Sequence, residues 1–145
     1  VYPDPSVADF IRDHFIPLRA HVKTGQDVFA RFNAQWTPTV LVVGSDEKEQ
    51  HRIEGFLPVE DFLPQLKLGA AHAARARGDW SEAEKLYDEL TNDPSPDIAA
   101  EAIYWRGVTK YKATNDPSHL GATGVALRDH FGGSTWAKKA SVWLS

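Results

Sequence analysis

Four apolar residues in succession, Val40-Leu41-Val42-Val43, stand between the step Thr37-Pro38-Thr39 and the polar turn Gly44-Ser45-Asp46-Glu47-Lys48. A run of this length is too short for a helix and apolar at both parities. It predicts a strand covered on both faces. That element constrains the fold, because each of its faces and edges needs a neighbour. Residues Gln50 to Gly55 offer one, a hairpin strand with His51, Ile53 and Gly55 on one face. Its thin apolar content suits a position near a sheet edge. Further upstream, Ile16, Leu18, Ala20 and Val22 alternate with Pro17, Arg19 and His21, which predicts another strand over residues 15–22.

The remaining text is helical. Asp4-Pro5-Ser6 opens a helix with Asp4 as cap and Pro5 in the first turn, and Val7, Phe10 and Ile11 share one face. Thr24-Gly25 opens a second, with Val28, Phe29, Phe32 and Trp36 apolar. A third starts at Leu57-Pro58-Val59-Glu60 and carries Phe62, Leu63, Leu66 and Ala70 at helical spacing. Pro64 removes a backbone donor there and should kink the early turns. From about Leu68 the text turns Ala-rich until Gly78-Asp79 breaks it. Helices are then expected over Trp80–Leu90, Asp97–Ala113, after Asp116-Pro117, and over Trp136–Leu144. Gly121 and Gly124 weaken the one that Asp116-Pro117 opens. The order predicts an α/β part over residues 1–68 and an all-α part over residues 69–145.

Charge narrows the partners. Residues 1–68 carry seven Lys/Arg against ten Asp/Glu, and residues 69–145 carry nine against ten. No basic block exists to neutralise a phosphate backbone, so nucleic acid is not expected. No apolar run is long enough to span a membrane, and no signal-like segment opens the chain. A cytoplasmic setting is the default. The chain has no cysteine, so it holds no disulfide, thiolate nucleophile or Cys-ligated zinc.

No other catalytic constellation stands out, and no cofactor or metal is expected. None of the six histidines shows metal-ligand spacing, and each reads as a surface or edge residue. Two of them can still meet in space. The serines form no nucleophile elbow, and there is no glycine-rich phosphate loop. Glu82, Glu84, Asp88 and Glu89 read as a solvated helix face, with Glu84 and Asp88 a like-charge i,i+4 pair.

Residues 15–68 resemble the second half of the thioredoxin fold. The matching text is FIPLRAHV, then GQDVFARFNAQWTPTVLVV, then EQHRIEGFLPVEDFLPQL. The opening YPDPSVADFIRDHF is similar to the stretch that follows the CxxC helix in a group of bacterial thioredoxin-like proteins. The resemblance implies a cis Pro38, with Thr37 offering main-chain hydrogen bonds to an extended substrate peptide. Trp36, two residues before Pro38, either packs beneath this site or presents a surface to the peptide. Trp36, Thr37 and Pro38 are therefore the candidate peptide-binding residues. The CxxC helix and the central strand before it have no counterpart here. In the family that strand sits between those represented by residues 16–22 and 39–43. The expected architecture is a thioredoxin-like three-layer sandwich lacking that strand. The chain is then a fragment, or a second chain supplies the strand, or the domain has rearranged.

Residues 69–145 resemble tetratricopeptide-type repeats. GDWSEAEKLYDEL is similar to a repeat's second helix, with Ala83 and Tyr87 at packing positions four apart. AEAIYWRGVTKYK resembles the next first helix, with Gly107 where helices approach closely. A plain helical cap on the first domain is the alternative. Together the resemblances imply a thiol–disulfide exchange protein in intact form, inactive as this cysteine-free chain. The other reading is a non-catalytic protein-interaction module. Both take a protein or peptide as partner.

Overall fold

The computed structural model describes residues 3–145. Val1 and Tyr2, the latter part of the opening motif, lie outside the described residues. The elements in chain order are α1 (Pro5–His14), α2 (Gln26–Arg31), β1 (Thr39–Val43), β2 (Glu49–Glu54), α3 (Val59–Ala76), α4 (Trp80–Leu90), α5 (Pro96–Thr114), α6 (Ser118–Phe131) and α7 (Thr135–Ala140), then a 3₁₀ turn over Ser141–Leu144. The class is mixed and mostly helical, with one two-stranded antiparallel sheet among the described residues.

The helix ends follow local chemistry. Asp4 caps α1 by accepting from the Ser6 amide at 2.9 Å, and Pro5 occupies the first helical position. Gly78, at φ +79°, turns the chain out of α3, and Asp79 accepts from the Glu82 amide at 3.2 Å to start α4. Ser134 caps α7 through the Ala137 amide at 3.1 Å. α3 runs unbroken through Pro64 and crosses the position where a change of domain was expected, near residue 68.

The sheet packs on α3. Register pairs Val40 with Ile53 and Val42 with His51, with an irregularity between Val42 and Val43. A Cβ built on Gly69 would lie 2.5 Å from Val42 Cγ2, so only glycine lets α3 approach β1 this closely. One core then joins the α1, sheet, α3, α4 and α5 layers through Val7, Ile53, Phe62, Leu66, Tyr87 and Ile98. A second core, around Ala100, Ile103, Leu127 and Ala140, holds α5, α6 and α7 together. The acidic face of α4 is not merely solvated. Asp88 meets Arg106 at 2.6 Å and Glu84 meets Lys110 at 3.7 Å, so cations from α5 offset the like-charge pair.

Two expectations fail in residues 15–36. The strand over 15–22 does not form. Its alternation is present, but a strand needs a ladder partner, and no described segment supplies one. Ile16 and Leu18 are 91% and 95% exposed. The following helix is short, ending at Arg31, buries no residue and packs on no other element. Its exit is tethered instead by Arg52, whose guanidinium donates to the carbonyls of Phe32 at 2.5 Å and Asn33 at 3.4 Å.

Candidate functional site

The loop into β1 is an exposed structure. The Thr37–Pro38 bond is cis, and Thr37 and Pro38 are both exposed. Thr39 Oγ1 donates to the Trp36 carbonyl at 2.5 Å, which folds the loop on itself. The Gly55 amide donates to the Pro38 carbonyl at 2.8 Å. Pro38 and Gly55 therefore face each other at the open end of the hairpin. Trp36 and Phe56 flank this pair and are 68% and 72% exposed. Trp36 thus does not pack beneath the loop. It and Phe56 leave two aromatic rings in solvent beside a cis-proline turn, an apolar surface with backbone polar groups between them. Tryptophan and phenylalanine in such a position are enriched at protein contacts. Phe56 carried no sequence signal of its own; only the register places it beside Pro38.

A second cluster was not expected from the histidines. His72 is buried, at 6% exposure. Its Nδ1 lies 2.6 Å from the Tyr87 hydroxyl and its Nε2 3.1 Å from Glu101 Oε2. Arg75 Nε donates to the same Tyr87 oxygen at 3.3 Å, while its guanidinium lies 4.0 Å from the Trp105 ring centroid. One tautomer satisfies every partner. Tyr87 O–H donates to Nδ1, and Nε2–H donates to Glu101. His51, on β2, sits with its ring 5.5 Å from that of His72 and bonds Gln65 Oε1 at 2.8 Å. The α3 register alone brings Gln65, His72 and Arg75 to one side, whereas His51, Tyr87 and Glu101 arrive from three other elements.

Carboxylate, imidazole and hydroxyl in line are an arrangement that activates nucleophiles in enzymes. Here the hydroxyl belongs to a tyrosine with no exposed surface. Burial pushes its pKa up to about 12, which opposes formation of a phenolate. No substrate can reach it. The cluster is a fully bonded polar seam between sheet and helices. Among the described residues no buried side-chain polar atom lacks a partner, and no group of histidine and carboxylate residues is placed to hold a metal ion. A shallow groove between α3 and the end of α4, lined by Leu63, Pro64, Lys67 and Glu89, is crossed by the Lys67–Glu89 pair at 3.5 Å and presents no reactive group.

The seam has a pH signature. Burial holds the His51 imidazole below its ordinary value of 6.5, and nearby His72 acts in the same direction against the Gln65 bond. In the unfolded chain His51 takes a proton as pH falls through about 6.5, while in the folded chain it does so only at lower pH. The unfolded state then binds more protons, so stability falls on acidification below about 6.5. Urea midpoints measured from pH 7.5 down to pH 5.5, values chosen to bracket about 6.5, are expected to decrease. A His51→Gln variant is expected to show a flatter profile; an unchanged slope would remove His51 as the cause.

Among the described residues no helix is long and apolar enough to cross a membrane. No family model, no curated protein and no solved structure matches this chain.

Proposed function

We propose that this chain is a protein-interaction module that takes an extended peptide at Trp36, Thr37 and Pro38. The observation that carries this reading is the pair of exposed aromatic residues, Trp36 and Phe56, adjoining in the chain the hydrogen-bonded Pro38–Gly55 pair at the open end of the hairpin. A peptide laid along the turn gains apolar cover from the rings and hydrogen bonds from the loop backbone. The thioredoxin-like reading of residues 1–68 and the tetratricopeptide-like reading of residues 69–145 rest on the sequence resemblance, and a mixed, mostly helical architecture is compatible with both. Thiol–disulfide exchange is the second reading, supported by the thioredoxin-like text over residues 15–68. Its nucleophile has to come from outside this chain, which contains no cysteine. In that setting the same loop orients the substrate.

The probe is reduced, carboxamidomethylated α-lactalbumin, a permanently unfolded polypeptide. Trp36→Ala is expected to weaken its binding about tenfold or more, as loss of a central aromatic contact does. The melting temperature should hardly move, because Trp36 buries little. Equal affinity of the variant and the parent would refute the loop as the binding site.

A further inference from the structure

We infer that the Arg75 guanidinium is a carboxylate-binding site, and that it takes an acidic peptide whose path crosses Trp105 and Trp136 towards Lys139. The site does not depend on the role of the Trp36–Pro38 loop.

Arg75 stands in the last turn of α3 and is half-buried. Two contacts fix it. Its Nε donates to the Tyr87 hydroxyl at 3.3 Å, and its guanidinium carbon lies 4.0 Å from the Trp105 ring centroid. Neither contact occupies the two terminal nitrogens, and among the described residues these have no acceptor. Arg19 lies in the exposed segment over 15–22. Every remaining arginine among the described residues reaches a carboxylate. Arg75 is thus held in place without being neutralised. A guanidinium in this state presents two parallel N–H donors that match the two oxygens of a carboxylate. Little side-chain freedom is left to lose when the anion arrives.

The surroundings favour a carboxylate over a phosphate. Glu101 Oε2 lies 3.1 Å from His72 Nε2 at the same junction, and its charge acts on Tyr87, the residue that Arg75 bonds. A phosphate dianion beside Glu101 meets about twice the repulsion that a carboxylate does.

A second cation favours a peptide over a small acid. The Trp105 and Trp136 ring centroids are 6.3 Å apart, and Lys139 Nζ lies 4.3 Å from the centroid of Trp136. Lys139 forms no ion pair among the described residues. An unneutralised cation therefore rests on each member of a Trp–Trp pair. One carboxylate can engage only one of them. A segment with acidic residues on either side of a short apolar stretch engages both and covers the half-buried rings between them. The chain carries a net charge of -4, so an acidic segment is repelled by the molecule as a whole and attracted at this face. The same net charge opposes a second copy as occupant.

The test is fluorescence anisotropy on the full chain at constant ionic strength. The probe is an amidated, fluorescein-labelled decapeptide of alternating glutamate and alanine. Its glutamine analogue should bind about tenfold or more weakly. Arg75→Gln should weaken the glutamate peptide about tenfold or more, and Arg75→Lys about fivefold or more, because the charge stays while the fork and the ring stacking go. Lys139→Gln should cost about twofold or more. Arg77→Gln removes the same charge two positions along α3 and should change affinity by less than about twofold. Trp36→Ala should bind like the parent, which separates failure here from failure of the loop. In the parent itself, the Arg75 Nε–H resonance should shift with saturating peptide while that of Arg106 stays in place, a reading that needs no variant to fold. Parent-like affinity of Arg75→Lys, or an Arg75 resonance that does not move, overturns the inference. Inorganic phosphate that displaces the peptide more readily than acetate overturns the carboxylate, and acetate that binds as tightly as the peptide overturns the peptide. An Arg75 resonance that moves with protein concentration alone assigns the fork to a second copy, and so overturns it too.

Discussion

Replacing Gly107 by alanine is expected to lower the stability of the chain by about 2 kcal/mol or more, the net of overpacking strain against a gain in helix propensity. Gly107 lies inside α5 where α6 crosses it. A Cβ at this position would stand 2.0 Å from Thr123 Oγ1 and 2.7 Å from both Thr123 Cβ and Cγ2. Thr123 cannot rotate away freely, because it is buried and its hydroxyl donates to the His119 carbonyl at 2.7 Å. Relief therefore requires the two helices to separate, and with them the core around Ala100, Ile103 and Leu127. For a chain of this size the melting temperature should fall by roughly 5–10 °C. Adding Thr123→Ala removes the Oγ1 and Cγ2 contacts but not the Cβ one, so the double variant should recover only part of the loss. Thermal unfolding of the three variants is the measurement. A Gly107→Ala protein as stable as the parent would show that the α5–α6 crossing yields at little cost.

The second large effect concerns Tyr87. Truncation to alanine removes a fully buried ring from the junction of α3, α4 and α5 and should cost about 3–5 kcal/mol through the cavity it leaves. Tyr87→Phe isolates the polar part. The ring stays, but His72 Nδ1 loses its donor and Arg75 Nε its acceptor. Burial of those unpaired groups is expected to cost about 1–3 kcal/mol. If the seam acts as a unit, replacing His72 by leucine in the Tyr87→Phe background should cost less than the same change in the parent, with a coupling of about 0.5–3 kcal/mol. Additive losses in urea denaturation would mean that the bonds are independent of one another.

Gly107 was recognisable as a close-approach position from its helix text, and the structure gives that position its neighbour, Thr123. The caps at Asp4 and Asp79, the hairpin at Gly44–Lys48 and the break at Gly78 were equally legible. Each depends on residues within one turn of the chain, where steric and hydrogen-bonding preferences act directly. The apolar run at Val40–Val43 gave its strand for the same reason.

The strand over residues 15–22 had an equally clear period, yet it did not form. Alternation records which side chains want burial, but a ladder needs a second backbone, and its presence is not a local property. Trp36 behaves likewise: its type favours burial, and its place at the open end of the hairpin leaves it in solvent. His72 went the other way, from an expected surface residue to the centre of a bonded seam. Its partners Tyr87 and Glu101 lie 15 and 29 residues further along the chain.

The local text was enough for the caps at Asp4 and Asp79, the hairpin turn at Gly44–Lys48, the close-approach position at Gly107, and the absence of thiol chemistry within these residues. Tertiary structure alone decided which strand edge is free, which aromatic rings remain in water, and which histidine is enclosed. The physical reason is range. Capping, turn geometry and periodicity act over a few bonds, whereas ladder pairing, desolvation and polar satisfaction depend on which distant segments come to lie side by side.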